Sequence, residues 1–216
     1  ASRAKGAPAE AAQVVAPCAA CYLGLVKAQH LMEESEDVLR KVRGALGAAG
    51  LGYQGRVQVR HPLDVFANDL GFEKVKEAVV RPLKGLRVAC YYGCQIVRPY
   101  ASFDDQFNPT SMDALMQTLG AETVSWPLKT RCCGGALTGT NEEVGLRLSY
   151  ILLKEAKRRK ADVIATACPL CQFNLECLQP KMRHAYGEDV SLPVAYFTQL
   201  LGVALGGKKK ELGLGR

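Results

Sequence analysis

The stretch Arg131-Cys132-Cys133-Gly134-Gly135 decides how this chain is read. Two adjacent cysteines followed by two glycines make a poor core and a good place to hold metal. Upstream lies Cys94, in Tyr91-Tyr92-Gly93-Cys94; downstream lies Cys168-Pro169-Leu170-Cys171. Cys94 is followed by 37 residues, then the Cys132/Cys133 pair, then 34 more, then a C-x-x-C. Thiolate is the soft ligand that iron–sulfur clusters and zinc prefer. A C-x-x-C wraps one metal or one cluster corner, best at a helix start, where free N–H groups stabilise negative sulfur. Adjacent cysteines point their side chains apart, so the pair suits more than one metal atom. Gly134 and Gly135 let the backbone approach closely and offer N–H groups to sulfur. Five thiols exceed the four of a structural zinc site. An iron–sulfur cluster is the expectation; zinc, a disulfide or unrelated buried thiols are the competing readings.

Composition narrows the setting. The chain has 216 residues, 48% of them hydrophobic, enough for one or two packed domains. No apolar run reaches the length of a membrane span. Residues 1–12 lack the apolar centre of a signal peptide, and a cytoplasmic protein is expected. Nine cysteines, an odd count with C-x-x-C spacing, favour metal in a reducing compartment over disulfides. Net charge is +7, from 28 basic and 21 acidic residues. Part of it sits in Lys157-Arg158-Arg159-Lys160, which closes an expected helix, and in Lys208-Lys209-Lys210, read as a solvated tail. A nucleic-acid surface needs aromatics beside the basic residues. Only 7% of residues are aromatic and none cluster there, so no nucleic-acid partner is expected.

The rest of the chain reads as alternating strands and helices. Residues 1–15 are expected to be flexible. Cys18-Ala19-Ala20-Cys21, a second C-x-x-C, opens a long helical pattern with Val38, Leu39, Val42 and Leu46 on its apolar stripe. Residues 57–60 alternate as a strand, and His61 at its end is read as packing or capping, with a ligand or proton-donor role as the rival. Helices follow to Val80, then a linker at Pro82–Gly85. Residues 86–91 form a strand ending at Cys94, and residues 98–111 a loop over the site. Ser111 is the expected N-cap of the next helix. Residues 122–126 form a strand. Asn141 caps a strong helix with Val144, Leu148, Ile151 and Leu152 as its stripe. Residues 163–167 form a buried strand running into Cys168, and the segment to Cys177 opens a helix. Residues 192–197 form the last strand, before a helix to about Leu205. Cys90 and Cys177 are read as packed thiols. Tyr91 and Tyr92 are read as packing residues, with one hydroxyl available to the site. This order predicts an α/β fold: mainly parallel sheet units with helices on both faces and the cysteine loops at strand C-terminal ends.

At the five cysteines the chain resembles the CCG cysteine-rich domain family. The words Tyr91-Tyr92-Gly93-Cys94, Arg98-Pro99 and Cys168-Pro169-Leu170-Cys171 are most similar to the B-type subunit of heterodisulfide reductase. The resemblance covers roughly residues 16–212. It implies that Cys94, Cys132, Cys133, Cys168 and Cys171 hold a non-cubane [4Fe–4S] cluster, with Gly93, Gly134 and Gly135 shaping the loops. It implies electrons arriving from iron–sulfur and flavin partner subunits and leaving to a disulfide. The family carries two cysteine repeats, and Cys18/Cys21 resembles the closing motif of the first. The implied division is residues 1–84 as a remnant of that repeat, 85–205 as the complete second domain and 206–216 as a basic tail. The expectation is a chain incomplete at its N-terminus; a split subunit completed by a partner is the alternative. Cys18 and Cys21 would then form a second site, for zinc or a second cluster, only with added residues. Rival functions are a CCG subunit of a quinone-linked succinate, glycolate or lactate dehydrogenase, a zinc-stabilised assembly module, and a thioredoxin-like dithiol enzyme. The last leaves Cys132/Cys133 unexplained.

Overall fold

The computed structural model describes residues 12–55 and 57–214. The chain divides into two compact units, Ala1–Pro62 and Leu63–Arg216.

In the first unit, β1 (Gln13–Val15) pairs in parallel with β2 (Gln58–Arg60). Between them run α1 (Ala19–Glu34) and α2 (Glu36–Ala48). The expected single long helix is interrupted at Ser35, whose hydroxyl accepts the amide of Val38 and caps α2. β1 corrects the expectation of flexibility for residues 13–15; residues 1–11 lie outside the described ones. A short strand of this kind is set by its partner's ladder rather than by local pattern. No residue of α2 is fully buried, although its Val42 and Leu46 line an apolar hollow of about 180 Å³ with Val14, Leu25, Met32 and Tyr53.

A helical run leads into the second unit: α3 (Pro62–Asp64), which starts on the last residue of the first unit, a π-helical stretch Val65–Leu70 and α4 (Phe72–Glu77). Its sheet has the order β4-β3-β5-β6, every pair parallel. The strands are β3 (Arg87–Tyr91), β4 (Glu122–Thr123), β5 (Val163–Thr166) and β6 (Val194–Tyr196). β5 is buried along its whole length and β3 from Val88 onward, as interior parallel strands are. The helices are α5 (Ser111–Thr118), α6 (Glu142–Arg158), α7 (Pro169–Cys177), α8 (Gln179–Tyr186) and α9 (Phe197–Ala204). Met112, Leu115, Leu152, Leu153, Leu175 and Phe197 fill the core. The α/β class is as the alternation predicts.

Four details differ from expectation. The Pro82–Gly85 segment is held inside the second unit, with Leu83 N donating to Leu119 O, so the boundary falls at Pro62/Leu63. Ser111 is not a cap: Asp104 reaches over and accepts the amides of Thr110 and Ser111. On α6, Val144 and Ile151 face outward, and the buried line runs through Gly145, Ser149, Leu152, Leu153 and Ala156. The small residues are turned inward because a loop presses on that face. Finally, residues 208–214 fold back as turns, with Leu212 O accepting from Gln199, while Lys208, Lys209 and Lys210 stay exposed to solvent as expected.

Candidate metal centre

The parallel sheet brings the three cysteine loops to one edge. β3 ends at Tyr91, three residues before Cys94; β5 ends at Thr166, two before Cys168; β4 feeds the segment that reaches Cys132. Parallel strands share a direction, so their C-terminal loops share an edge.

Gly93 makes the first turn at φ +71°, and a Cβ there would stand 3.4 Å from Cys171 Sγ. Cys94 is half-buried. Cys133 is buried and Cys132 exposed, as adjacent side chains pointing apart require. Cys133 Sγ lies 3.3 Å from Cys171 Sγ. That is well beyond a disulfide bond of about 2.05 Å, and all nine cysteines are free thiols. Cys171 also hydrogen-bonds Cys168, and Cys94 hydrogen-bonds Cys132. The five thiols therefore form two runs, Cys94–Cys132 and Cys133–Cys171–Cys168, joined by the Cys132–Cys133 peptide.

The glycines answer the sulfurs. Gly134 N donates to Cys132 Sγ at 3.3 Å, and the Gly135 amide donates to both Cys132 and Cys133. Hydrogen bonding by Cys94, by the two glycine amides and the nearby Arg98 charge outweigh burial, and the Cys132 thiol is lowered to about 6. Cys133 is lowered too, chiefly by its hydrogen bonding with Cys171. Cys94 and Cys171 are pushed well above the ordinary thiol range, chiefly by those same bonds. Cys168 is the N-cap of α7, with Pro169 in its first turn.

The loop is seated on α6. Gly134, at φ +78°, lies so close that a Cβ would come within 2.8 Å of Gly145 Cα. Ser149 Oγ, one helical turn on, donates to Cys133 O at 2.8 Å. Gly145 and Ser149 were not singled out from sequence; the available signal was two small residues at i and i+4 in an otherwise bulky helix. Tyr91 donates its hydroxyl to Arg131 O at 2.6 Å, the site-directed hydroxyl that the sequence left open between Tyr91 and Tyr92. Tyr92 instead accepts the amides of Met112 and Asp113 and donates to Asp113 Oδ2. Cys90 is buried as expected, whereas Cys177 is exposed and not packed. His61 is buried with its ring edge-on to Tyr22, in keeping with a packing role. The basic run at the end of α6 is largely paired: Lys157 with Asp189, Arg158 and Arg159 with Glu155.

Among the described residues no group of three or more Cys, His, Asp or Glu side chains is already placed to hold a metal ion. The chemistry of the donor set suits an iron–sulfur group: soft thiols on converging loops with amides aimed at sulfur. Cys94, Cys132, Cys133, Cys168 and Cys171 are the residues that could hold it. Cys18 and Cys21 repeat the α7 arrangement at the start of α1, with Cys18 as N-cap and Cys21 exposed. They are the only two cysteines of residues 1–62. A hollow of about 360 Å³, lined by Leu128, Arg131, Cys132, Leu148, Ile151 and Leu152, opens beside the Cys132 thiol.

A parallel α/β unit whose strand ends carry converging thiols defines a cysteine-rich redox-type domain. Comparison with known proteins makes that specific: the cysteine-rich domain model named CCG matches residues 88–176. The chain is 32% identical over 203 residues to the 8-methylmenaquinol:fumarate reductase membrane anchor subunit of Wolinella succinogenes, covering 93% of this chain and 70% of that protein. It is 30% identical over 205 residues to the B-type subunit of the ferredoxin/F420H2-dependent CoB-CoM heterodisulfide reductase of Methanosarcina acetivorans, covering 93% and 68%. A protein of Archaeoglobus profundus that is named as like the same heterodisulfide reductase subunit is 32% identical over 195 residues, covering 88% and 65%. A hypothetical protein from Helicobacter pylori shares the fold, at TM-score 0.70 and 18% identity; the match covers 89% of this chain and 35% of that one. The chain belongs to the CCG cysteine-rich family, alongside the B-type subunits of heterodisulfide reductases. No helix among the described residues is long and apolar enough to cross a membrane.

Proposed function

We propose that this chain is the iron–sulfur redox subunit of a heterodisulfide-reductase-like complex. The observation that carries the reading is the convergence of five thiols from three strand ends, with the Gly134 and Gly135 amides directed at two of them. Cys94, Cys132, Cys133, Cys168 and Cys171 act as ligands of a non-cubane [4Fe–4S] cluster, and Gly93, Gly134 and Gly135 keep the backbone close to it. When bound, such a cluster supplies one-electron transfer to a disulfide. The chain's own residues bind and orient it: amides and Arg98 balance thiolate charge, and the hollow beside Cys132 leaves one side open to an acceptor. Electrons come from iron–sulfur and flavin subunits of the same complex. Residues 1–62 are read as the counterpart of the closing half of a repeat, with Cys18 and Cys21 binding metal only when further thiols are supplied.

A second reading keeps the fold and changes the acceptor. The Wolinella relative is named for a methylmenaquinol reaction, which favours a quinone-linked complex. Iron, sulfide and zinc analysis of oxygen-free protein, with EPR after mild oxidation, tests the shared core. About four irons per chain, lost in Cys132→Ser or Cys133→Ser, is expected for one cluster. One zinc and no iron would overturn the redox reading in favour of a structural zinc module. Reduction of a heterodisulfide rather than a quinone by the assembled complex separates the two acceptors.

A further inference from the structure

Three successive carbonyls of the loop that carries Cys132 are each held by the segment that carries Cys94. Lys129 O accepts the amides of Tyr92, at 2.9 Å, and Gly93, at 3.1 Å. Thr130 O accepts the guanidinium Nη2 of Arg98. Arg131 O accepts the Tyr91 hydroxyl at 2.6 Å. The two loops are far apart in sequence and are joined by these bonds and by the thiol contact of Cys94 with Cys132. Thr130 is buried, and buried carbonyls are as a rule hydrogen-bonded.

A plain core role explains the Tyr91 ring, which is buried and tilted against Trp126 at a centroid distance of 6.0 Å. It does not explain the hydroxyl, which a phenylalanine would lack while filling the same space. Nor does it explain a half-buried arginine whose fork ends on the Thr130 carbonyl, two residues before Cys132.

We propose that Tyr91 and Arg98 are positioning residues that clamp the Cys94 loop to the Cys132–Cys133 loop, fixing the separation of the two thiols, and that Arg98 also sets the potential of the group bound there. The clamp is made of protein atoms alone and holds in the metal-free chain. Its effect on potential rests on the proposed cluster.

The test uses the full chain with Tyr91→Phe, Arg98→Met and Arg98→Lys. In the first arm, metal-free protein is treated with diamide, which takes two electrons and two protons from a thiol pair and becomes the hydrazine. Formation of the Cys94–Cys132 disulfide is followed by mass spectrometry, and circular dichroism checks that each variant is folded. Tyr91→Phe and Arg98→Met are expected to slow it about tenfold through lost alignment, with Arg98→Lys in between. In the second arm, anaerobically reconstituted protein is titrated and its EPR recorded. Arg98→Met is expected to lower the midpoint potential and Arg98→Lys to restore most of it. Tyr91→Phe is expected to alter the EPR line shape and weaken metal retention about tenfold, as loss of a supporting hydrogen bond does. Unchanged cross-linking in folded Tyr91→Phe and Arg98→Met would overturn the clamp, whatever metal is bound. Slowed cross-linking with no iron in the parent protein would leave the clamp standing and remove the redox reading. Slowed cross-linking with an unchanged potential in Arg98→Met would overturn the electrostatic part.

Discussion

Gly134 shows how much of the site is backbone. Its φ of +78° is left-handed, and an added Cβ would stand 2.8 Å from Gly145 Cα and 3.0 Å from Gly145 O. Neither neighbour is a flexible side-chain end. Gly134→Ala is therefore expected to destabilise metal-free protein by about 2–4 kcal/mol, combining a strained backbone with a forced clash. Urea denaturation measures this, and a loss under about 0.5 kcal/mol, within the range of a neutral surface change, would mean that the loop can lift off α6. Ser149→Ala removes the donor to Cys133 O and leaves a buried carbonyl unanswered. The expected loss is about 1–3 kcal/mol, read from the same denaturation curves, with a control at exposed Ser102 expected to be silent. Neither effect was legible in sequence. Gly134 announced itself beside two cysteines, but Gly145 and Ser149 sit inside a helix whose stripe was assigned to Val144 and Ile151. Large apolar residues dominate a periodicity reading, whereas here the small ones mark the buried face because a loop must fit against them.

At the scale of elements, start signals placed on neighbouring residues were readable, and those supplied from a distance were not. Asn141 caps α6 through its own side chain, three residues from the amide it accepts. The start of α5 is instead held by Asp104, seven residues before Ser111. Asp104→Ala is expected to lower the denaturation midpoint, by about 1–2 kcal/mol in stability, as loss of an N-cap does. Restoring an Asp at Ser111 would not recover it if the bond to Thr110 N also matters. At the other end of α6, Arg158 and Arg159 pull the Glu155 carboxyl from its ordinary 4.5 down to about 2. A carboxyl lowered in the folded state adds stability above its unfolded value and loses it as pH falls through the folded one. The difference in melting temperature between the parent protein and Glu155→Gln is therefore expected to be present above pH 4.5 and to vanish towards pH 2. Both arginines face solvent, so the difference is small and shrinks with salt.

For the whole molecule, the five-thiol set belongs to one unit, Leu63–Arg216, while Cys18 and Cys21 belong to the other. Cys18→Ser/Cys21→Ser is thus expected to leave the iron content and EPR signal of anaerobically reconstituted protein unchanged. Loss of about half the iron would show instead that the first unit binds metal in this chain. The sequence by itself determined the fold class and named the candidate thiols. Thiol type, the C-C-G pair and the C-x-x-C are local, and the alternation of strand and helix periods is local too, so the α/β class and the five candidate ligands were readable from residues in order. Tertiary structure decided what local pattern does not encode. It placed the boundary at Pro62/Leu63 rather than at the Pro82–Gly85 linker, because Leu83 hydrogen-bonds to Leu119 within the second unit. It split the five thiols into a pair and a trio, and tied two distant loops together through Tyr91 and Arg98. Those outcomes depend on which carbonyls and sulfurs meet once parallel strands have brought their ends to a common edge, and that meeting is a long-range event.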